Sequence, residues 1–296
     1  MNLKHNKVWN IVVTAILIFL CIACVVPLLL LIMSSITSEA ALMRNGYSLF
    51  PEEFGFDAYR YLWTSREQIG RALMMTFAST LCGMSMSVTI TTLMAYPLSR
   101  RNLPGRSFFA FFIFFTMLFS GGTIPSYLMW TQIFHIKDTF WALVVPNLLM
   151  SGFAVIMMRT YFNASIPESI IEAAKIDGVS ELGTLVRIVV PLSKPIIATL
   201  ALISSLAYWN DWINGLYYLA KRTELYTIQN LLNRLITSAD FLSNNAANNM
   251  ITAGIKVPSV GVRMAVAVVA LMPILAVYPF FQKGFVKGIV IGGVKG

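Results

Sequence analysis

Residues 163–183 read NASIPESIIEAAKIDGVSELG, and this stretch carries strong helix start and stop signals. Ser165 and Glu168 have the spacing of a capping box, in which each side chain binds a free backbone N–H at the start of a helix. Pro167 would then lie in the first turn, where its missing N–H does no harm. Gly178 suits the left-handed conformation that ends many helices. The spacing predicts a short helix that stops at Gly178.

A second short helix is predicted directly after the first. Ser180 can cap it, and Glu181 places a negative charge in its first turn, where the helix dipole favours one. Pro191 and Pro195 would end it before the next apolar run, because proline disrupts a helix interior. The stretch is therefore predicted to form two short helices joined by a hinge.

One side of the first helix is built from small residues. The residues that share this face at i, i+3, i+4 and i+7 are Ile170, Ala173, Ala174 and Asp177. Two alanines allow the backbone of another protein to approach closely, and the face has no large membrane anchor. We therefore predict that this helix docks a partner protein. The alternative is an amphipathic helix that lies on the lipid surface.

Apolar runs lie on both sides of this stretch. A membrane-spanning helix needs about 20 mostly apolar residues. The predicted spans cover about residues 11–33, 72–98, 107–119, 140–158, 195–219 and 260–281. The first run is too long for a signal peptide and has no nearby cleavage site, so we expect an uncleaved anchor. The sequence thus predicts an all-α membrane protein with six transmembrane helices.

The composition supports this class. Hydrophobic residues make up 57% of the 296 residues and charged residues 12%, with a mean hydropathy of +0.72. Soluble proteins carry about 25% charged residues, so a water-soluble globular protein is excluded. The net charge of +9 would suggest nucleic acid in a soluble protein. Here the basic residues lie between apolar runs, so we expect contacts with lipid head groups and no nucleic acid.

The distribution of charge predicts the orientation. If both termini are cytoplasmic, the inner segments are 1–10, 99–106, 159–194 and 283–296, and they hold 12 Lys and Arg with 4 acids. The outer segments hold 10 Lys and Arg with 8 acids over a longer total length. The positive-inside rule therefore favours cytoplasmic termini and external loops at about 34–71 and 220–259. The polar stretch Ser243–Asn249 in the second loop is unlike a lipid-embedded segment.

The sequence offers little catalytic or metal-binding chemistry. Cys21 and Cys24 have C-x-x-C spacing, but like Cys82 they lie in apolar runs, and His5 and His135 are isolated. No metal site can be assembled from these residues. The sequence has no G-x-x-x-x-G-K-[ST] phosphate loop. We therefore predict no catalytic residues, no metal, no cofactor and no ATPase activity in this chain.

The chain resembles a known family at its most informative stretch. The run Glu172-Ala173-Ala174, then Asp177-Gly178, then the two downstream prolines, is similar to the EAA loop of binding-protein-dependent ABC importers. That loop marks their membrane subunits. The resemblance implies a type I ABC importer fold. It places a permease domain at 72–285, with its EAA loop at about 163–191, between an N-terminal region (1–71) and a C-terminal tail (286–296).

Two further features resemble the carbohydrate-uptake branch of this family. Trp209-Asn210-Asp211-Trp212 resembles a W-N-D-aromatic signature. The tail from Phe281 to Gly296 resembles maltose-permease G-like subunits and, more closely, lipoprotein-type polysaccharide permeases. The resemblance implies an importer of oligosaccharides, with acidic or complex polysaccharide fragments as the expected class. The alternatives are another solute such as glycerol phosphate, a stand-alone secondary transporter, or a membrane scaffold.

The resemblance also implies partners and a location. We expect a heterodimer with a second homologous permease, two ATP-binding subunits below it, and an extracellular or periplasmic solute-binding protein. The complex would lie in the cytoplasmic membrane as a multi-pass protein surrounded by lipid. ATP hydrolysis would belong to the separate subunits.

The family motif assigns roles residue by residue. Glu172 is expected to be the ionic anchor to the ATPase, and Ala173 and Ala174 would seat the helix in a groove. Asp177 would hold the hinge through backbone N–H groups or contact the partner. Gly178 would supply the backbone geometry. Changing Glu172 or Gly178 is expected to abolish uptake without removing the protein from the membrane.

The second motif has two interpretations. Trp209, Asn210, Asp211 and Trp212 could line a sugar pathway, since sugars favour aromatic faces together with amide and carboxylate hydrogen bonds. Alternatively, Asn210 and Asp211 stitch the fifth span to a neighbouring helix. Asp211→Asn is expected to alter transport or assembly.

Overall fold

The computed structural model describes the backbone of residues 7–246 and 260–293, and the side chains of 9–237 and 260–276. Helices dominate this part of the chain, and its β-pairing is an isolated bridge between Thr37 and Phe54. The predicted all-α class is confirmed. The predicted tail beyond residue 293 and the asparagine-rich stretch from 247 onward lie outside the described residues.

The helices are numbered here in chain order. They are α1 (Lys7–Ser35), α2 (Glu39–Asn45), α3 (Asp57–Thr64), α4 (Arg66–Ser99), α5 (Arg106–Leu118), α6 (Thr123–Ile133), α7 (Trp141–Val144), α8 (Gly152–Ser165), α9 (Glu168–Ile176), α10 (Glu181–Leu192), α11 (Lys194–Trp209), α12 (Ile213–Tyr218), α13 (Ile228–Ala246) and α14 (Val260–Gly293). A short 3₁₀ turn covers Thr223–Leu225.

Within the described residues, two continuous helices are long and apolar enough to cross a membrane. They are Trp9–Ser35 within α1 and Arg66–Ser99, which is α4. Two bent pairs also qualify if each counts as one span: α5 with α6 bends by 111°, and α10 with α11 bends by 83°. No part of the apolar window in α1 is buried within the chain, so lipid or another subunit must cover it.

The predicted fourth and fifth spans are not continuous helices. The run 140–158 divides into α7 and α8, with residues 145–151 outside any helix. Pro146 lacks an N–H, and Asn147 has a left-handed φ of 63°. The run 195–219 divides into α11 and α12 at residues 210–212. The prediction of two unbroken spans was therefore wrong, because side chains replace the helical hydrogen bonds at these breaks.

The chain forms two compact units. The first contains the described residues within Met1–Ile69 and Leu232–Pro273. In this unit, Glu39 uses both carboxylate oxygens to accept the N–H groups of Val260 (3.0 Å) and Gly261 (3.2 Å). A carboxylate at a helix N-terminus is favourable, so α2 stabilises the start of α14.

The second unit contains Gly70–Leu231 and the described residues from Ile274 onward. Its main core joins α4, α5, α8, α9, α10 and α11. The buried members are Ala95, Tyr96, Leu98, Ile113, Val155, Met158, Phe162, Ile166, Ile171, Leu185, Val189, Ile196 and Leu200. The predicted partner-docking helix α9 is thus packed directly onto the membrane helices.

Gly83 of α4 lies directly against the ring of Tyr208 in α11, so a substitution there tests how these two helices pack. A Cβ built on Gly83 would overlap the ring of Tyr208, whereas one built on Gly70, in the same helix, meets nothing within 4 Å. We expect Gly83→Val to lower the free energy of unfolding by about 1–3 kcal/mol, the usual cost of overpacking. Gly70→Ala should instead raise it, by about 0.5–1 kcal/mol, because alanine is the better helix former and its Cβ meets no other atom here. The measurement is thermal unfolding of the purified protein, and equal melting temperatures for the two variants would contradict this packing.

Candidate functional site

The helix α9 begins differently from the prediction. Ser165 is the last residue of α8, and α9 begins at Glu168 with Pro167 as its N-cap and no side-chain cap. A proline disfavours helical conformation in the residue before it, so the chain is extended at Ile166. The predicted capping box between Ser165 and Glu168 was therefore wrong.

The end of α9 agrees with the prediction. Gly178 has a φ of +75°, and its N–H donates to the carbonyl of Lys175 at 3.1 Å. The N–H of Val179 donates to the carbonyl of Ala174 at 2.9 Å. Together these two bonds form a Schellman motif. Ser180 caps α10 by accepting the N–H of Gly183 at 3.1 Å, which confirms the predicted second helix.

The exposed face of α9 is not the predicted one. Ile171 and Ala174 are buried in the core, whereas Ile170, Ala173 and Asp177 are exposed. The predicted face lies along the border between the buried and exposed sides of the helix. One of its four residues is therefore buried and the other three are exposed. Ala174 therefore anchors α9 within its own chain.

The exposed side of α9 includes Glu172, Ala173 and Ile176. The Ile176 side chain is 86% exposed, a high value for a large apolar residue in a packed unit. Glu172 forms no ion pair or hydrogen bond through its side chain within the described part of the chain. Sequence reasoning missed Ile176, although an isoleucine beside the helix-ending Asp-Gly pair was a usable signal.

The hinge is held by Glu181 and not by Asp177. Glu181 forms an ion pair with Lys175 at 2.8 Å and accepts the hydroxyl of Tyr96 at 2.8 Å. The hydrogen bond from Lys175, followed by that from Tyr96, lowers the pKa of Glu181, so its carboxylate stays ionised at neutral pH. The carboxylate of Asp177 accepts no hydrogen bond among the described residues. The hinge is thus tied to both α9 and the end of α4.

The breaks in the fourth and fifth spans are bonded to each other. The hydroxyl of Tyr208 donates to the carbonyl of Val144 at 2.8 Å, and the amide of Asn214 donates to the carbonyl of Pro146 at 3.0 Å. Tyr208 and Asn214 are both buried. These side chains supply donors to carbonyls near the point where the helical ladder of the fourth span stops.

Asp211 caps the second half of the fifth span. Its Oδ1 accepts the N–H groups of Ile213 (3.1 Å) and Asn214 (3.3 Å). Its own carbonyl accepts the hydroxyl of Thr227 at 3.4 Å. The side-chain contacts of Asp211 lie within the fifth span itself. The interpretation in which Asp211 stitches this span to a neighbouring helix stays a prediction.

Two of the four residues of the W-N-D-W motif are exposed and two are buried or half-buried. Trp209 is buried, and its ring lies edge-on to Phe77 with centroids 4.9 Å apart. Asn210 and Trp212 are exposed, at the two sides of the capped Asp211. Asn210 still offers part of its amide outward, because its contacts are a bond to the Leu206 carbonyl at 2.9 Å and a long one from Gln229 at 3.4 Å.

Asp138 is a further structural acid that sequence reasoning did not identify. Its Oδ1 accepts the N–H groups of Ala220, Lys221 and Arg222 at 2.7, 2.9 and 3.4 Å. Burial opposes ionisation, but these backbone bonds and the charge of Lys137 outweigh it and lower the pKa of Asp138. The bonds fix the segment after α12 to the segment before α7.

The described residues contain no group of three or more His, Cys, Asp or Glu side chains that could hold a metal ion. Cys21 and Cys24 are exposed on α1, and Cys82 is half-buried in α4; all three are free thiols.

The chain is similar to known transport proteins over almost its whole length. A family model described as "Binding-protein-dependent transport system inner membrane component" matches residues 2–291. The chain is 36% identical over 291 residues to the polygalacturonan/rhamnogalacturonan transport system permease protein YtcP of Bacillus subtilis (strain 168), covering 98% of this chain and 99% of that protein. It is 37% identical over 272 residues to protein LplC of the same organism, covering 92% and 90%.

A solved structure is also similar. It is described as a bacterial ABC transporter involved in the import of the acidic polysaccharide alginate. The match has a TM-score of 0.79 and 27% identity, and it covers 96% of this chain and 98% of that one.

Proposed function

The chain belongs to the family of binding-protein-dependent transport system inner membrane components, and we propose that it forms part of the translocation pathway for acidic or complex oligosaccharides in an ATP-driven importer. The observation that carries this proposal is the geometry of α9. It is held in the core by Ile171 and Ala174 and offers Glu172, Ala173 and Ile176 outward. A secondary transporter that works without an ATP-binding subunit would not need such a docking surface.

The partner that fits this surface is an ATP-binding subunit. Ile176 would fill an apolar groove, and Glu172 would meet a basic side chain of the partner, because the described part of its own chain gives it no basic partner. Ala173 would permit close approach between the backbones. The hydrolysis of ATP then takes place in the partner, while this chain converts movement of α9 into movement of its spans.

The remaining partners follow from the family. We propose a heterodimer with a homologous permease, two ATP-binding subunits, and an external solute-binding protein that delivers the sugar. The apolar exposed surface of α1 supports a chain that is covered by lipid or by a second permease. The charge distribution supports cytoplasmic termini, which place α9 on the side where ATP is available.

Asn210 and Trp212, which are exposed at the break in the fifth span, are the proposed sugar contacts. Trp212 offers an aromatic face and Asn210 an amide, both of which suit a sugar ring. Asp211 would repel an acidic sugar, but its carboxylate already accepts two backbone N–H groups. Substrate contact by Asn210 and Trp212 with structural support from Asp211 therefore fits an acidic substrate.

The names of similar proteins support this substrate class. YtcP is named for polygalacturonan and rhamnogalacturonan, and the similar solved structure imports alginate, an acidic polysaccharide. We propose that uronate-containing oligosaccharides are carried by this chain as well.

Glu172 and Ile176 test the coupling role. We expect Glu172→Ala to reduce uptake of labelled oligouronate by roughly tenfold or more, since a hydrogen bond to a charged group contributes about 1.5–3 kcal/mol. Ile176→Asp should reduce it by a similar factor, because it would place a charge in the apolar groove of the partner. Uptake is measured in cells with equal amounts of protein in the membrane. Glu67→Ala, at another exposed glutamate, is the control and should leave uptake unchanged. Normal uptake with Ile176→Asp would contradict the docking role.

Trp212 tests the sugar pathway. We expect Trp212→Ala to reduce uptake several-fold while the importer assembles normally, because the exposed ring is lost without a core contact. Contrary to the expectation from the sequence, Asp211→Asn should keep normal uptake, because the amide oxygen can accept the same two N–H groups. Trp141→Ala is the control, since that ring is also exposed, at 48% against 40% for Trp212. Equal losses for both tryptophan variants would remove Trp212 from the pathway.

A further inference from the structure

Three arginines converge where the second, third and fourth spans meet their connecting segments. Arg100 follows the last residue of α4, Arg106 begins α5, and Arg159 lies in the second half of α8. The Nε of Arg106 donates to the carbonyl of Leu98 at 3.0 Å, which holds Arg106 against the end of α4. Arg100 lies over the ring of Tyr96, 4.6 Å from its centroid.

These three guanidinium groups have no carboxylate within 4.0 Å in the described part of the chain. Glu168 is 3.9 Å from the neighbouring Arg101, and Glu181 acts on Arg100 only at longer range. The Nε atoms of Arg100 and Arg159 are buried without an acceptor. Unpaired cations and buried free donors are both costly, so this cluster favours an anion.

The electrostatic environment of Arg159 agrees with this view. Burial, and then the charge of Arg106, lowers the pKa of Arg159. Two like charges therefore lie close enough to repel each other. An anion bound at Arg106 would reduce this repulsion.

A cavity of about 900 Å³ opens beside the cluster. It is lined by Ser99, Arg100, Arg101, Arg106 and residues 162–168. Glu168 is the single acid in this lining, and it already lies next to Arg101. The space is large enough for a phosphate group together with several water molecules, since each water occupies roughly 30 Å³.

The surface next to the cavity is apolar. Directly after Arg106, α5 exposes the rings of Phe108, Phe109 and Phe112, at 67%, 51% and 58%. A ligand with an anionic head and apolar chains matches this sequence of cations followed by exposed phenylalanines. A free phosphate or an acidic side chain of a partner protein would contact the arginines but not the phenylalanines.

We propose that this cavity binds the phosphate of an anionic phospholipid from the cytoplasmic leaflet. Arg106 and Arg100 would contact its phosphate oxygens, as arginine does at planar or tetrahedral oxyanions. The acyl chains would lie along the phenylalanines of α5. The inference rests on the cytoplasmic placement of residues 99–106 and 159–194 proposed above, and such basic pockets are known features of that leaflet.

The test is native mass spectrometry of the complete importer after titration with phosphatidylglycerol or phosphatidylcholine in neutral detergent. We expect wild-type protein to retain phosphatidylglycerol selectively. The double variant Arg106→Gln/Arg159→Gln should retain roughly tenfold less, and Arg60→Gln, at a side chain that is 84% exposed in α3, should retain as much as wild type. Arg106→Gln alone is measured as well, so that a folding defect caused by Arg159→Gln does not decide the result.

A second arm separates a lipid from a free anion. Millimolar inorganic phosphate should displace little phosphatidylglycerol, because it cannot use the phenylalanine surface. Equal retention of the two lipids by wild-type protein would overturn the proposal, as would full displacement by phosphate or unchanged retention in the Arg106→Gln variant. Oligouronate uptake measured with the same variants tests the transport function separately.

Discussion

A backbone carbonyl that loses its helical partner inside a bilayer has no water to bind, and each such group costs several kcal/mol. The breaks in the fourth and fifth spans meet this constraint with side chains. Tyr208 and Asn214 donate to the carbonyls of Val144 and Pro146, and Asp211 accepts the free N–H groups at the start of α12. The break in the fourth span is therefore bonded by side chains of the fifth, whereas the break in the fifth is capped by its own Asp211, and the two spans are joined at this level.

The fifth span also shares a core with α9. The helix α11 packs through Ile196 and Leu200 into the core that also contains Ile171 of α9, and its far end carries Trp209 at the break. The hinge between α9 and α10 is fixed by the Schellman motif at Gly178 and by the bonds of Glu181 to Lys175 and Tyr96. A displacement of α9 would therefore move α11 and, with it, the exposed residues at the break. This arrangement suits the coupling role proposed for α9.

Local signals in the sequence predicted local structure well. Gly178 and Ser180 act as predicted because a left-handed turn and an N-cap depend on neighbouring residues alone. Hydropathy located the apolar runs but not their breaks, because Pro146 and Asn210 are single residues within long apolar windows. The capping box failed because Pro167 kept the preceding residue extended, an effect that competed with the Ser165–Glu168 spacing. The buried side of α9 and the exposed position of Ile176 depend on tertiary packing, and no periodicity in nine residues distinguishes a core from a partner surface.

The most direct measurement is site-specific photo-crosslinking in the assembled importer, with a photoreactive amino acid placed at Ile176 or, as the control, at Trp63. Trp63 is also highly exposed, at 72%, and lies in the predicted external loop. We expect a crosslink from position 176 to the ATP-binding subunit and none to that subunit from position 63. A crosslink from position 176 to lipid alone, or equal crosslinking from both positions, would contradict this expectation.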